Sequence, residues 1–241
     1  MYHKKSPIYP IELFETLFQV AALKKDAKIL EIGTSNSLAT LPFLLQGYHV
    51  HSVELETTIP NICQTKKINF NLVALNEAAF KKNSFDFIFL TKSLFYPIDD
   101  SVLIKVFELL KPGAKMAITF VQPVVDKSAT HLQKLENLFF KKLYNFTDQD
   151  IQSFFNPTEI KLDSELYTTL FSDFFERESF YTVEKLEFFL RSFPEFQHQD
   201  LPTQELLLNE LKQMFTENYL DKILRKKYRF NLLIVEKKKV S

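Results

Sequence analysis

The stretch LEIGTSNSLAT, Leu30 to Thr40, decides how the rest of the chain is read. Its apolar start predicts a short strand over residues 28–32 that carries an acid, Glu31, near its end. Gly33 opens the loop that follows, and Ser35 and Ser37 alternate with it. A loop that lets a ligand approach the main chain needs small residues, because the chain must turn sharply and often at positive φ. Serine allows the approach but tolerates positive φ poorly. Ser37 can also cap a helix over residues 37–45, which Gly47 closes. One glycine alone leaves three readings: a working cofactor loop with substitutions, a dead one, or a plain strand-turn-helix.

The neighbouring segments narrow this. A helix over 11–23 precedes the strand, with Leu13, Leu17, Val20 and Leu23 at helical spacing. A second strand over 49–55 carries Glu54. An acid about 20 residues beyond such a loop can accept both hydroxyls of a ribose. A helix over 59–67 and a strand over 70–75 follow. FDFIFL, residues 85–90, reads as a strand buried on both faces. A helix over 101–110 is stopped by Lys111-Pro112-Gly113, and a fifth strand runs over 115–121. Strict alternation with short connections argues for a parallel α/β sheet covered by helices on both faces. Ligands of such sheets bind beyond the carboxyl ends of the strands. That points to residues 31–37, Glu54, Asn76, Glu77 and 91–96, including Thr91, Phe95 and Tyr96.

Past Pro123 the character changes. Residues 127–171 read as helical and rich in Phe and Tyr, 173–178 as a strand, and 182–192 as a helix with Thr182 as N-cap. A long helix over 204–224 and a strand over 228–236 complete the chain, and the lysines at 237–239 read as a solvated end. The break at Pro123 reads as a helical lid inserted after the fifth strand. The organisation expected is one domain: a cofactor half over 1–122, a lid with the sixth strand over 123–202, and a terminal helix and strand over 203–241.

Composition excludes several classes. Of 241 residues, 46% are hydrophobic, so disorder is not expected. Thirty basic and 30 acidic residues cancel, which leaves no basic footprint for nucleic acid. A single cysteine, Cys63, excludes an internal disulfide. No apolar run reaches the roughly 18 to 20 residues of a membrane span, and the first ten residues lack a secretory apolar core. The reading is a cytoplasmic protein with no membrane and no metal, either a monomer or a homodimer.

Three pieces carry a resemblance to class I S-adenosylmethionine-dependent methyltransferases. ILEIGTSNSLATLPFLLQGYHVHSVELE is similar to that family's first block, acid-x-Gly-x-Gly-x-Gly and then a strand ending in acid. LNEAAFKKNSFDFIFLTKSLFYPID resembles the next block, and FELLKPGAKMAITF the turn and fifth strand after it. SPIYPIELFETL, which holds Tyr9, YTVEKLEFFLRSFPEFQ and YRFNLLIVEKK resemble the two ends of a small-molecule subgroup that includes enzymes similar to trans-aconitate methyltransferase.

The resemblance implies a Rossmann-like, seven-stranded, mostly parallel sheet. Its seventh strand is antiparallel and lies between the fifth and sixth. It implies S-adenosylmethionine as cofactor and a small-molecule acceptor, with a carboxylate among the candidates. Glu31 matches the acid at the methionine end, Gly33 the first glycine, and Ser35 and Ser37 the positions of the other two. Glu54 matches the ribose acid, and Asn76 or Glu77 the adenine contact, with gapless alignment favouring Asn76. Thr91 lies in the loop region between cofactor and substrate. The chain departs from the pattern at the two serines, at Asn36 and at Ser6, where the subgroup carries arginine.

A sulfonium methyl is already activated, so positioning dominates and no catalytic constellation is obligatory. A carboxylate acceptor needs no base, whereas an amine or hydroxyl does. His3 and His131 are the histidines within reach of such a role; His49 and His51 read as structural. Tyr144, Tyr181 and Arg177 are candidate acceptor contacts, although core packing and ordinary surface arginine account for such residues more often. The rival reading is a methyltransferase fold without catalysis, acting as a binding module. A nicotinamide-dependent enzyme fits less well, because neither a glycine-rich dinucleotide loop nor a second mononucleotide half is present.

Overall fold

The computed structural model describes residues 9–33, 39–53, 75, 78–92, 100–124, 130–155, 160, 162–191 and 194–239. Its first half runs α1 (Ile11–Ala21), β1 (Ile29–Ile32), α2 (Leu41–Leu45), β2 (Val50–Val53), β3 (Phe85–Lys92), α3 (Asp100–Leu109) and β4 (Leu110–Pro123). The second half runs α4 (Thr130–Tyr144), α5 (Asp148–Phe155), β5 (Tyr167–Tyr181), α6 (Val183–Leu190), α7 (Pro194–Gln197), α8 (Leu201–Asn218) and β6 (Leu224–Lys237). The six described strands form one mixed sheet in the order β2-β1-β3-β4-β6-β5. β2, β1, β3 and β4 are parallel neighbours. β6 runs antiparallel to β4 on one side and to β5 on the other. The strand expected at 70–75 and the helix at 59–67 lie outside the described residues, apart from Leu75, which is buried.

Alternation along each strand sorts the core. Ile29, Phe87, Phe89, Ala117, Phe230, Leu232 and Ile234 face α1 and α2, where Leu13, Phe14, Leu17 and Phe43 meet them. Leu30, Ile32, Ile88, Leu90, Met116, Ile118 and Val235 face Val106 and Leu109 of α3. FDFIFL is apolar throughout because both faces are covered. Each fully buried side chain of this size contributes about 1.5–3 kcal/mol. Two further apolar clusters join α4, α6 and α8, one around Tyr181 and Leu211 and one around Phe196 and Leu207.

Four readings are corrected here. Tyr167 to Phe171 are strand, not helix: β5 is 15 residues long and pairs with β6 over nearly its whole length. The sheet ladder overrides the local pattern, which is unclear because most of β5 is exposed. α8 starts at Leu201, earlier than expected, because Asp200 accepts the N–H of Thr203 (2.8 Å) as N-cap. It stops at Asn218, not at residue 224, and β6 starts at Leu224, earlier than the expected 228. Lys237 is not part of a solvated end. It is buried, and its ammonium donates to the carbonyls of Phe107 (2.7 Å) and Leu110 (2.7 Å) and to Asn83 Oδ1 (3.1 Å). It thus caps the carbonyl end of α3. The capping role of Thr182 on α6 is as expected, with its hydroxyl accepting the N–H of Lys185 (3.3 Å).

Candidate functional site

The carboxyl ends of the parallel strands define one edge of the sheet. β1 leads to β2 on one side, while β3 and β4 lie on the other, so the order of strands reverses between β1 and β3. That is the position at which open α/β sheets bind ligands. α1 aims its first turn at the same edge. Its last turn sits at the opposite end, where Lys115 donates to the Ala21 carbonyl (2.8 Å), and the Tyr9 ring rests on Phe230, 5.4 Å between centroids.

Glu31 is fully buried at this edge. A buried carboxylate is tolerated only when hydrogen-bonded, and two hydroxyls serve its Oε2. Thr40 Oγ1 donates to Glu31 Oε2 (2.5 Å), and Ser52 Oγ donates to the same oxygen (3.1 Å). Ser52 is the cross-strand partner of Glu31 on β2. Thr40 stands at the start of α2 but makes no side-chain cap there, since its hydroxyl is turned to Glu31. Burial first, and the Glu31 charge second, push the Tyr9 phenol above its ordinary range, so Tyr9 is a neutral donor at physiological pH.

Gly33 follows β1 at φ +87°, in the region that favours glycine. Its N–H donates to the Val53 carbonyl (2.9 Å) at the end of β2. On its other side Thr91 Oγ1 donates to the carbonyls of Ile32 (3.2 Å) and Gly33. A Cβ at position 33 would lie 2.4 Å from the Thr91 carbonyl oxygen. Gly33 is required here because β3, at Thr91, lies directly against the turn.

Further along the edge, Tyr181 at the end of β5 donates to the hydroxyl of Tyr228 on β6 (3.1 Å). Burial, opposed by hydrogen bonds, raises the Tyr181 phenol; burial and the Tyr181 neighbour raise that of Tyr228. Lys226 and Glu136 form a largely buried ion pair beside them.

The structure thus brings together Tyr9, Glu31, Gly33 and Thr91 of the residues expected from sequence. Ser35, Ser37, Glu54, Asn76, Glu77, Phe95, Tyr96 and His3 lie outside the described residues. Tyr144 ends α4, against Phe140 and Phe146, in the apolar cluster that holds Leu190 and Phe196. His131 is at the opposite end of that helix, with Nε2 3.1 Å from Tyr219 Oη. About 13 residues at 1.5 Å each separate the two along the helix. Arg177 is exposed on β5, opposite Tyr228 in the register. His51 packs edge-on to Phe80 and Phe85, as its structural reading expects. Sequence reasoning missed Thr40, Ser52 and Tyr228. Ser52 carries a signal in retrospect, being a small polar residue between the apolar ends of a strand that pairs with the acid-bearing one.

No protein-family model matches the chain, and no curated protein matches it. Solved structures do. One is a candidate type II methyltransferase of Anaeromyxobacter dehalogenans, 15% identical, TM-score 0.59, with 95% of this chain and 97% of the other covered. Another is a candidate methyltransferase of Bacillus halodurans, 12% identical, TM-score 0.55, with 93% and 98% covered. At these identities the likeness establishes the fold alone, a Rossmann-like methyltransferase fold. No described helix is long and apolar enough to cross a membrane.

Proposed function

We propose that this chain binds S-adenosylmethionine at the carboxyl edge between β1 and β3 and transfers its methyl group to a small-molecule acceptor. The observation that carries this reading is the buried Glu31, its Oε2 held by two neutral hydroxyls beside the Gly33 turn that packs on Thr91. A fixed carboxylate there suits the cationic methionine end of the cofactor, and Gly33 keeps the turn narrow. When bound, the cofactor supplies a methyl group already activated on sulfur. The chain's own task is to orient, and to keep water from the nucleophile. Glu31 holds the amino-acid end, Ser35 and Ser37 line the loop, Glu54 takes the ribose hydroxyls, and Asn76 or Glu77 the adenine. Tyr9, neutral and beside Glu31, stands between the cofactor side and the acceptor side. Phe95, Tyr96 and Tyr181 are the residues assigned to the acceptor, under the lid expected over 123–202. A carboxylate acceptor needs no base from this set.

Calorimetry of the folded chain with S-adenosylmethionine and S-adenosylhomocysteine tests the reading. Binding of both is expected, with Glu31→Gln weakening them while far-UV circular dichroism is kept. No heat at millimolar ligand would sink the proposal. Binding without methyl transfer to any of a panel of small carboxylates, amines and phenols would point instead to a non-catalytic binding module.

A further inference from the structure

β5 is a sheet edge of unusual form. It is 15 residues long, and no described strand pairs with its outer side. Three large apolar side chains of the strand stand in solvent: Phe174 at 45% and Phe180 at 53%, which share a face, and Leu170 at 40%, at the register irregularity between Thr169 and Phe171. A long exposed edge with apolar side chains is a template for pairing with another strand. The N–H of Phe174 turns to this edge, where the carboxylate of its own neighbour Asp173 takes it up (2.8 Å).

We infer that β5 pairs antiparallel with β5 of a second copy of this chain about a twofold axis at Phe175, joining two sheets into one. The sequence of the strand selects that register. Centred on Phe175, Asp173 falls opposite Arg177 of the other copy, and the symmetry makes this ion pair twice. Leu170 comes level with Phe180 at each end of that ladder, where the register irregularity ends it. The two Phe174 rings come diagonal across the axis, within reach for aromatic side chains. Shifting the centre to Asp173, Glu176 or Arg177 places like charges face to face on the axis. Centring on Phe174 sets Arg177 against Phe171 and Asp173 against Phe175 and loses both ion pairs.

Backbone geometry agrees with the choice. In an antiparallel ladder alternate residues bond to the same neighbour. With the N–H of Phe174 turned outward, Phe174 and Glu176 of the other copy form a hydrogen-bonded pair. Asp173 then gives up the Phe174 N–H to that backbone and becomes available to Arg177. The register irregularity between Thr169 and Phe171 limits the ladder at each end. The contact is isologous, as closed dimers require.

Sedimentation analysis of the full chain over a wide dilution series, with charge variants, tests this. The wild type is expected to shift with concentration from monomer to twice the mass. Asp173→Arg and Arg177→Asp, each placing like charges opposite twice, are expected to weaken dimerisation about tenfold. The double variant Asp173→Arg/Arg177→Asp restores opposite charges and is expected to recover the dimer. Both sites are exposed, and circular dichroism checks that all four proteins fold. A wild type that stays monomeric throughout overturns the proposal. So does a dimer indifferent to both single changes, or a double variant no better than either single one.

Discussion

Gly33→Ala separates the demand of the turn from the demand of its neighbour. Gly33 sits at φ +87° and Gly47 at φ +84°, so an alanine meets nearly the same backbone cost at either place. For an L-residue in the left-handed region that cost is roughly 1–2 kcal/mol. The surroundings differ. An added Cβ meets nothing within 4 Å at Gly47, but at Gly33 it lies 2.4 Å from the Thr91 carbonyl oxygen and 3.1 Å from Thr91 Oγ1. The nearer atom is main chain held in the β3 ladder, so no rotamer change relieves the contact. Overpacking of this kind adds about 1–3 kcal/mol, for a total of about 2–5 kcal/mol. In a chain of this size each kcal/mol lowers the melting temperature by about 2–4 °C. Gly33→Ala should therefore melt about 4–20 °C below wild type, and Gly47→Ala about 2–8 °C below it. Thr91→Ser, which leaves the main-chain oxygen in place, should not rescue Gly33→Ala. Calorimetric melts of the four proteins decide it. Equal losses at Gly33 and Gly47, or rescue by the serine, would show that β3 does not press on the turn.

Lys237→Met should cost about 2–3 kcal/mol in urea unfolding, since it leaves the carbonyls of Phe107 and Leu110 without their donor; a neutral result would mean that water replaces the ammonium. Burial raises the Asp86 carboxyl, but the Lys111 ammonium (2.6 Å) and the Lys28 N–H (2.9 Å) outweigh it and hold the group below its ordinary value of 3.8. Its stabilisation is thus present above that ordinary value and lost as pH falls through the lower folded one. Asp86→Asn should cost about 1 kcal/mol at neutral pH, solvent screening included, and the gap to wild type should close on acidification; a gap constant into acid would contradict this. Replacing Ser35 and Ser37 together by glycine should tighten S-adenosylhomocysteine binding in titration calorimetry, and unchanged or poorer affinity would show those positions to be misassigned.

Much of the fold was legible because its signals are local. Phe85 to Leu90 announce a strand covered on both faces, the acid in LEIG marks the carboxyl end of β1, and Thr182 announces a helix start. β5 was only partly legible: with both faces largely in solvent, it lacks the apolar alternation that reveals a strand, and its length comes from the β6 ladder. α8 was misjudged at both ends because Asp200 sets its start and the demands of β6 set its stop.

By itself the sequence determined the alternation of elements, the place of Glu31 and Gly33 at a strand end, and the neutral charge balance. These follow from hydrophobic period and turn chemistry within a few residues. The tertiary structure alone decided what surrounds those residues. Ser52 reaches Glu31 from 21 positions away, Thr91 clamps Gly33 from 58, and Lys237 caps α3 from 127 or more. Such partners are chosen by the order and register of strands. No short segment encodes these, because the backbone pairs equally well in many registers until side chains on both faces select one.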